Sequence, residues 1–168
     1  MLISLDQQPN HARVWIYQTN RPLTDTADGF IQKTLQSQTA NWAAHGQPLT
    51  GSVQVFHNRF VVVAVDETQN TPSGCSIDAS TQWLKELGVQ MNLDFFDRSV
   101  AYLDDSVVQT LALNELKAAV AEGILEPETL IFNNLVPTLG EFRHSWKTKA
   151  VNTWLKKYFK SQTVGVNG

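Results

Sequence analysis

Phe60-Val61-Val62-Val63-Ala64-Val65 is apolar at every position. A run of six residues rich in β-branched side chains, with Asn58-Arg59 before it and the polar stretch from Asp66 to Ser73 after it, has the length and the borders of a strand. A strand with one wet face alternates between apolar and polar residues. This one does not, so it is covered on both faces, or at the least lies deep in a sheet.

Reading outward from that run, Ser52 to His57 forms a second strand, and Asn58-Arg59 joins the two as a tight hairpin because Asn tolerates the positive φ such turns demand. Arg13 to Gln18 alternates Val14 and Ile16 with Trp15 and Tyr17 and predicts a first strand, which Arg21-Pro22 breaks. Thr24 or Asp25 caps the next helix, with Ile31, Leu35 and Trp42 at helical spacing and Gly46 as its end. A second helix carries Ile77, Leu84 and Leu87 and closes at Gly88. Ser99 to Leu103 and Val107 to Leu111 pair around Asp104-Asp105, Asn114 caps a short helix through Leu116 and Val120, and Leu130-Ile131-Phe132 is a short strand.

Thr138-Leu139-Gly140-Glu141 has capping-box spacing. Beyond it Val151, Trp154, Leu155, Tyr158 and Phe159 make one face of a C-terminal helix, with Lys156, Lys157 and Lys160 on the other. That apolar face is expected to join the core built on Phe60 to Val65, since a short chain has one sheet to cover it. The element order predicts an α+β fold: a mostly antiparallel sheet of about five to six strands with helices packed against it. Its first part has the split βαβ elements of ferredoxin-like domains. Residues 1–160 read as a single domain and 161–168 as a flexible C-terminal tail.

Composition narrows the function classes. The 168 residues are 42% hydrophobic, enough for one sizeable core, and the net charge of -3 arises from mixed signs spread along the chain. No basic footprint for nucleic acid or an anionic membrane follows from that pattern. Met1-Leu2-Ile3-Ser4-Leu5-Asp6 lacks the basic region of a signal peptide, no stretch is long enough to span a membrane, and a single cysteine cannot staple a fold. The expected location is the cytoplasm.

The strongest site lead is Ser73-Gly74-Cys75-Ser76-Ile77-Asp78, where a small-residue turn opens a helix and backbone N–H groups gather. Cys75 there is a candidate nucleophile, with His57 or another histidine brought in by the fold as its base and Asp78 as orienter. Ser73, Gly74, Cys75 and Ser76, with Arg13, Arg59 and Arg98, are the candidate ligand-binding groups for an anion. The structural alternative makes Cys75 a small buried residue, Asp78 a first-turn cap and the arginines dispersed ion-pair partners. Asp94-Phe95-Phe96-Asp97-Arg98 reads as buried rings with Arg98 on a carboxylate, or as an aromatic ligand wall. His11, His45, His57 and His144 lack metal-ligand spacing, so no metal and no cofactor is expected. Among five tryptophans, Trp83 lies off the Ile77-Leu84-Leu87 stripe and is the candidate for an exposed partner contact.

His11-Ala12-Arg13-Val14-Trp15-Ile16-Tyr17, Asn58-Arg59-Phe60, Ser73 to Asp78, Asp94 to Arg98 and Phe132-Asn133-Asn134-Leu135-Val136 resemble segments of a small uncharacterised bacterial family often labelled "ABC transporter ATPase". The resemblance runs over most of the chain and implies no known catalytic residue. The label conflicts with the residues. A P-loop needs Gly-x-x-x-x-Gly-Lys-Ser/Thr to cradle phosphates, and no glycine here is followed by lysine. The resulting expectation is a non-enzymatic binding or protein-interaction domain, pairing with itself as a homodimer or with another protein, its recognition surface near residues 66–78. The alternative is a small enzyme or anionic-ligand binder built on Cys75.

Overall fold

The computed structural model describes residues 1–160, so the tail expected over 161–168 lies outside the described residues. In chain order the elements are β1 (Arg13–Gln18), α1 (Asp25–Ala40), β2 (Ala43–Ala44), β3 (Gln47–Pro48), β4 (Thr50–Phe56), β5 (Phe60–Asp66), α2 (Gly74–Met91), β6 (Val100–Asp104), β7 (Val107–Leu111), α3 (Leu116–Ala121), β8 (Leu130–Phe132), α4 (Leu139–Ser145) and β9 (Lys147–Lys149), with short 3-10 turns between some of them. The class is α+β. The strands form three antiparallel sheets of three, two and four strands, in place of one sheet of five or six. The described residues form two compact units: Met1–Asp97 with Asn134–Arg143, and Arg98–Asn133 with 144–160.

In the first unit β5 lies between β1 and β4 and is antiparallel to both, with Trp15 opposite Val63 and Val53 opposite Val63 on the other side. β1 and β4 therefore run parallel to each other with α1 between them in sequence, the split βαβ connection. The all-apolar run is buried throughout. Val61, Val63 and Val65 face Ile31 and Leu35 of α1 and Leu84 and Leu87 of α2 in one core. Strand alternation turns Phe60, Val62 and Ala64 to the opposite face. On that face the Phe56 ring meets Phe142 at 5.4 Å, and Ser52 Oγ donates to the Ile3 carbonyl at 2.7 Å.

Two local rules act one or more residues away from where the sequence suggests. The β4–β5 turn is centred on His57 and Asn58, both left-handed (φ 55° and 50°), and the Arg59 N–H closes it on the Phe56 carbonyl. Trp42 stands beyond α1, and Gly46, with φ 76°, serves the β2–β3 turn and not the helix end.

α2 likewise starts at Gly74 and runs through Gly88 to a left-handed Asn92. Gly88 is needed for close approach. A Cβ there would lie 2.6 Å from the Leu93 carbonyl oxygen, which is backbone and cannot rotate away.

The second unit has its own sheet, in the order β7-β6-β8-β9. Its core gathers Val100, Leu111, Leu116, Val120, Leu125 and Ile131 with Ala150, Leu155 and Phe159. The C-terminal apolar residues thus pack in this cluster and not on Val61, Val63 and Val65, which corrects the expectation of a shared core. They also form 3-10 turns rather than a continuous α-helix, because Thr153 is extended and its Oγ accepts the Leu155 N–H. Asn114 does not cap α3. It lies inside the preceding 3-10 turn, where the Glu115 carboxylate accepts the Ala112 N–H at 2.8 Å. The capping box at α4 forms as its spacing predicts, between Thr138 and Glu141.

Helix propensity alone would make Gly88→Ala stabilising by up to about 1 kcal/mol. The 2.6 Å approach to backbone outweighs it, so G88A is expected to destabilise the protein by about 1–3 kcal/mol in urea unfolding. An increase in stability would show that the α2 end has room.

Candidate functional site

The helix opening at Ser73 is built as a self-contained cap. Ser73 Oγ accepts the Ser76 N–H at 3.1 Å, Ser76 Oγ accepts the Ser73 N–H at 2.7 Å, and the Ser76 hydroxyl donates to the Ser73 carbonyl. Two of the amide groups that an anion would need are therefore already used. Asp78 is exposed and lies past the first turn, so the cap belongs to the serines, and Gly74 borders open space. Cys75 is exposed, against the reading of it as a buried packing residue.

The proposed partners of Cys75 lie elsewhere. The first turn of α2 is fixed by Trp42, whose indole N–H donates to the Ser76 carbonyl at 2.8 Å. At its other end Arg21 donates to the Met91 and Asn92 carbonyls. That far end is where the β4–β5 hairpin is held, through Thr19 N–H to the Arg59 carbonyl and Leu23 N–H to the Asn58 carbonyl. An 18-residue helix is about 27 Å long. The hairpin that carries His57 and Arg59 is thus held at the end of α2 opposite to Cys75.

Arg13 is occupied. Its guanidinium pairs with Glu67 at 3.2 Å and lies 4.8 Å from the centre of the Trp15 ring. Arg98 is exposed at the start of the second unit. Arg59 is buried, 6% exposed, with Nε donating to the Thr19 carbonyl at 3.0 Å. Burial lowers its pKa, and the nearby Asp97 carboxylate partly offsets that.

Around Arg59 lies a polar cluster that the sequence reading missed. The buried Gln18 donates through Nε2 to Asp97 at 3.2 Å and accepts from Asn134 Nδ2 at 3.0 Å, while its backbone pairs with Phe95 and Asp97. Asp97 and Asn134 are the residues at which the first unit ends and resumes, so one carboxamide holds both crossing points of the chain. A glutamine ending an alternating strand beside an arginine-led apolar run was the available signal. Its partners are 79 and 116 residues away.

The polar groups of residues 66–73 are also engaged. Asp66 accepts from Thr68, through both hydroxyl and backbone N–H, and lies 3.3 Å from His11 Nε2, which also reaches the Thr68 hydroxyl at 3.0 Å. The Thr68 hydroxyl is the largest cause holding the Asp66 carboxyl below the usual aspartate range. Asn70 donates to the Pro48 carbonyl. Trp83 is half-buried against Trp42, ring centres 5.3 Å apart, so it is a core contact rather than an exposed one. Phe95 is fully buried, whereas Phe96 is 38% exposed with its ring edge-on to Tyr17.

Among the described residues no group of His, Cys, Asp and Glu could hold a metal ion, and no helix is long and apolar enough to cross a membrane. Comparison with protein-family models, with curated proteins and with solved structures finds no match. The reading of function therefore rests on geometry.

Because Cys75 is exposed, a maleimide reagent is expected to label the native protein at the rate of an accessible thiol, and Cys75→Ser to change stability by less than about 0.5 kcal/mol. Labelling only after unfolding would place the thiol inside. The second expectation concerns Asp66. Its folded pKa lies below its unfolded value of about 3.9, so its stabilisation is complete above that value and is lost as pH falls through the folded pKa. Thr68→Val should raise the Asp66 pKa in a carboxyl NMR titration and move the acid limb of unfolding to higher pH. An unchanged titration would mean that the hydroxyl is not the cause.

Proposed function

We propose that this chain is a cytoplasmic, non-enzymatic protein-interaction domain of the small bacterial family it resembles, and that it pairs with a second copy through the edge of β7. The state of the strand edges supports this. At β4 the Met1–Ile3 segment and the Gln32 side chain take up edge groups, and β1 is met by Pro137 at Val14 and by Phe95–Asp97 at Gln18. β9 carries Lys147 and Lys149, charges that discourage strand pairing.

β7 has none of these guards. Val107-Val108-Gln109-Thr110-Leu111 contains no charge and no proline, and Val107 is 57% exposed. Its pairing with β6 leaves the peptide groups of Val108 and Thr110 on the outer edge. An antiparallel pair about Gln109 would set Val108 opposite Thr110 of the second copy, an isologous contact that satisfies these groups on both sides. The carboxylates of Asp104 and Asp105 before the strand and Glu115 after it would approach across that axis, so salt should strengthen the association.

The experiment is sedimentation velocity over a concentration series at low and high salt. A monomer–dimer equilibrium that shifts toward dimer with salt is expected, with loss of the dimer in Val107→Lys/Gln109→Lys, whose sites are both exposed. A strictly monomeric protein, or a dimer untouched by the two lysines, would remove this reading.

A further inference from the structure

The near balance of charge over the whole chain conceals a one-signed stretch. None of the 16 acidic residues follows Glu141, whereas Arg143, Lys147, Lys149, Lys156, Lys157 and Lys160 all do. Arg143 belongs to the first unit, where it donates to the Asn10 side chain and to the Leu5 and Gln8 carbonyls. The five lysines lie in the second unit. Lys149 meets the Glu128 carboxylate at 2.7 Å, and Lys147 lies beside the Phe132 ring.

The remaining three lysines share one short segment with an open aromatic ring. Leu155 and Phe159 are buried in the core of the second unit and pin the 3-10 turn Trp154–Tyr158 to it. Side chains three residues apart eclipse on such a turn, so Trp154 and Lys157 stand on one ridge. The Trp154 ring is 43% exposed and edge-on to Tyr158, with ring centres 6.3 Å apart. Lys157 Nζ lies 5.7 Å from the Trp154 centre and 5.4 Å from that of Tyr158. Lys156 and Lys160 are exposed as well.

A tryptophan held open among lysines suits a partner that brings negative charge and an apolar group together. Tryptophan is a frequent anchor of protein interfaces, and a cation beside its ring is held more strongly once a partner excludes water. Glu126 and Glu128 limit how far the partner's charge can extend. They sit in the loop held against residues 150–151, where the Ala150 N–H donates to the Thr129 carbonyl and the Val151 N–H to the Pro127 carbonyl. A nucleic-acid strand or an anionic membrane spreads negative charge past the ridge and toward those carboxylates, whereas a short peptide places it on the lysines alone.

We propose that this ridge binds an acidic, extended segment of another protein, with carboxylates on Lys156, Lys157 and Lys160 and an apolar side chain on the Trp154 ring. The ridge follows β9, which is at the opposite edge of its sheet from β7. The contact therefore goes beyond self-pairing at β7 and does not require it.

The test is a titration of the 15N-labelled full chain with acetyl-Asp-Glu-Leu-Asp-Glu-amide, followed by NMR. Saturable shifts of the Trp154 indole N–H and of the Lys156 and Lys157 amides are expected. They should weaken as salt rises, opposite to the salt effect expected for pairing at β7. Lys156→Gln/Lys157→Gln/Lys160→Gln should weaken binding at least tenfold, and arginine at the same three positions should preserve it. Trp154→Ala should weaken it at least threefold, and Lys33→Gln on α1 should leave it unchanged; amide dispersion confirms that each variant is folded. Absence of these shifts at millimolar peptide, equal binding of acetyl-Asn-Gln-Leu-Asn-Gln-amide, or tighter binding of a thymidine oligonucleotide or of phosphatidylserine vesicles at the same lysines would each overturn the proposal.

Discussion

The burial of β5 on both faces is the constraint on which the first unit depends. Six consecutive apolar residues cannot satisfy their peptide groups except by pairing on both edges, which β1 and β4 provide, and cannot be dry except under cover on both faces. One face takes the two longest helices, and the other takes the N-terminal segment and the start of α4. With β5 central, β1 and β4 become edges whose outer groups the chain must also manage.

It manages them largely with side chains and short segments. The Gln32 carboxamide on β4 acts as a stand-in for peptide groups, donating to the Val53 carbonyl and accepting the Val55 N–H, while at the end of β1 the backbone of Phe95 and Asp97 meets Gln18. Such groups protect an edge without adding a strand. Where no guard is present, as on β7, the edge itself is the surface on offer.

Several of the groups that the sequence offers as an anion site are engaged within the fold. The helix opening that would favour an anion is closed by Ser73 and Ser76, Arg13 is committed to Glu67, and Arg59 holds the Thr19 carbonyl inside the protein. The hairpin that carries His57 and Arg59 is held at the end of α2 opposite to Cys75. Gln18, through Asp97 and Asn134, fastens the places where the chain leaves and re-enters the first unit, with the buried Arg59 nearby on the Thr19 carbonyl.

What the sequence by itself determined was local: the strands Arg13–Gln18 and Phe60 to Val65, a cap at Thr24 or Asp25 (the structure uses Thr24), the Thr138–Glu141 capping box and the α+β class follow from periodicity and from hydrogen bonds closed within four residues. Where two local rules competed, tertiary structure decided. Gly88 reads as a helix stop, yet it sits within α2 because the Leu93 carbonyl needs the space of its missing side chain. The division into three sheets, the placing of Leu155 and Phe159 with Val100 and Ile131, the exposure of Cys75 and the gathering of Gln18, Arg59, Asp97 and Asn134 were decided only by the fold. The physical reason is the same in each case. Apolar periodicity says that a face must be buried but not against what, and a buried polar side chain finds its partners by proximity in space, which sequence separation does not encode.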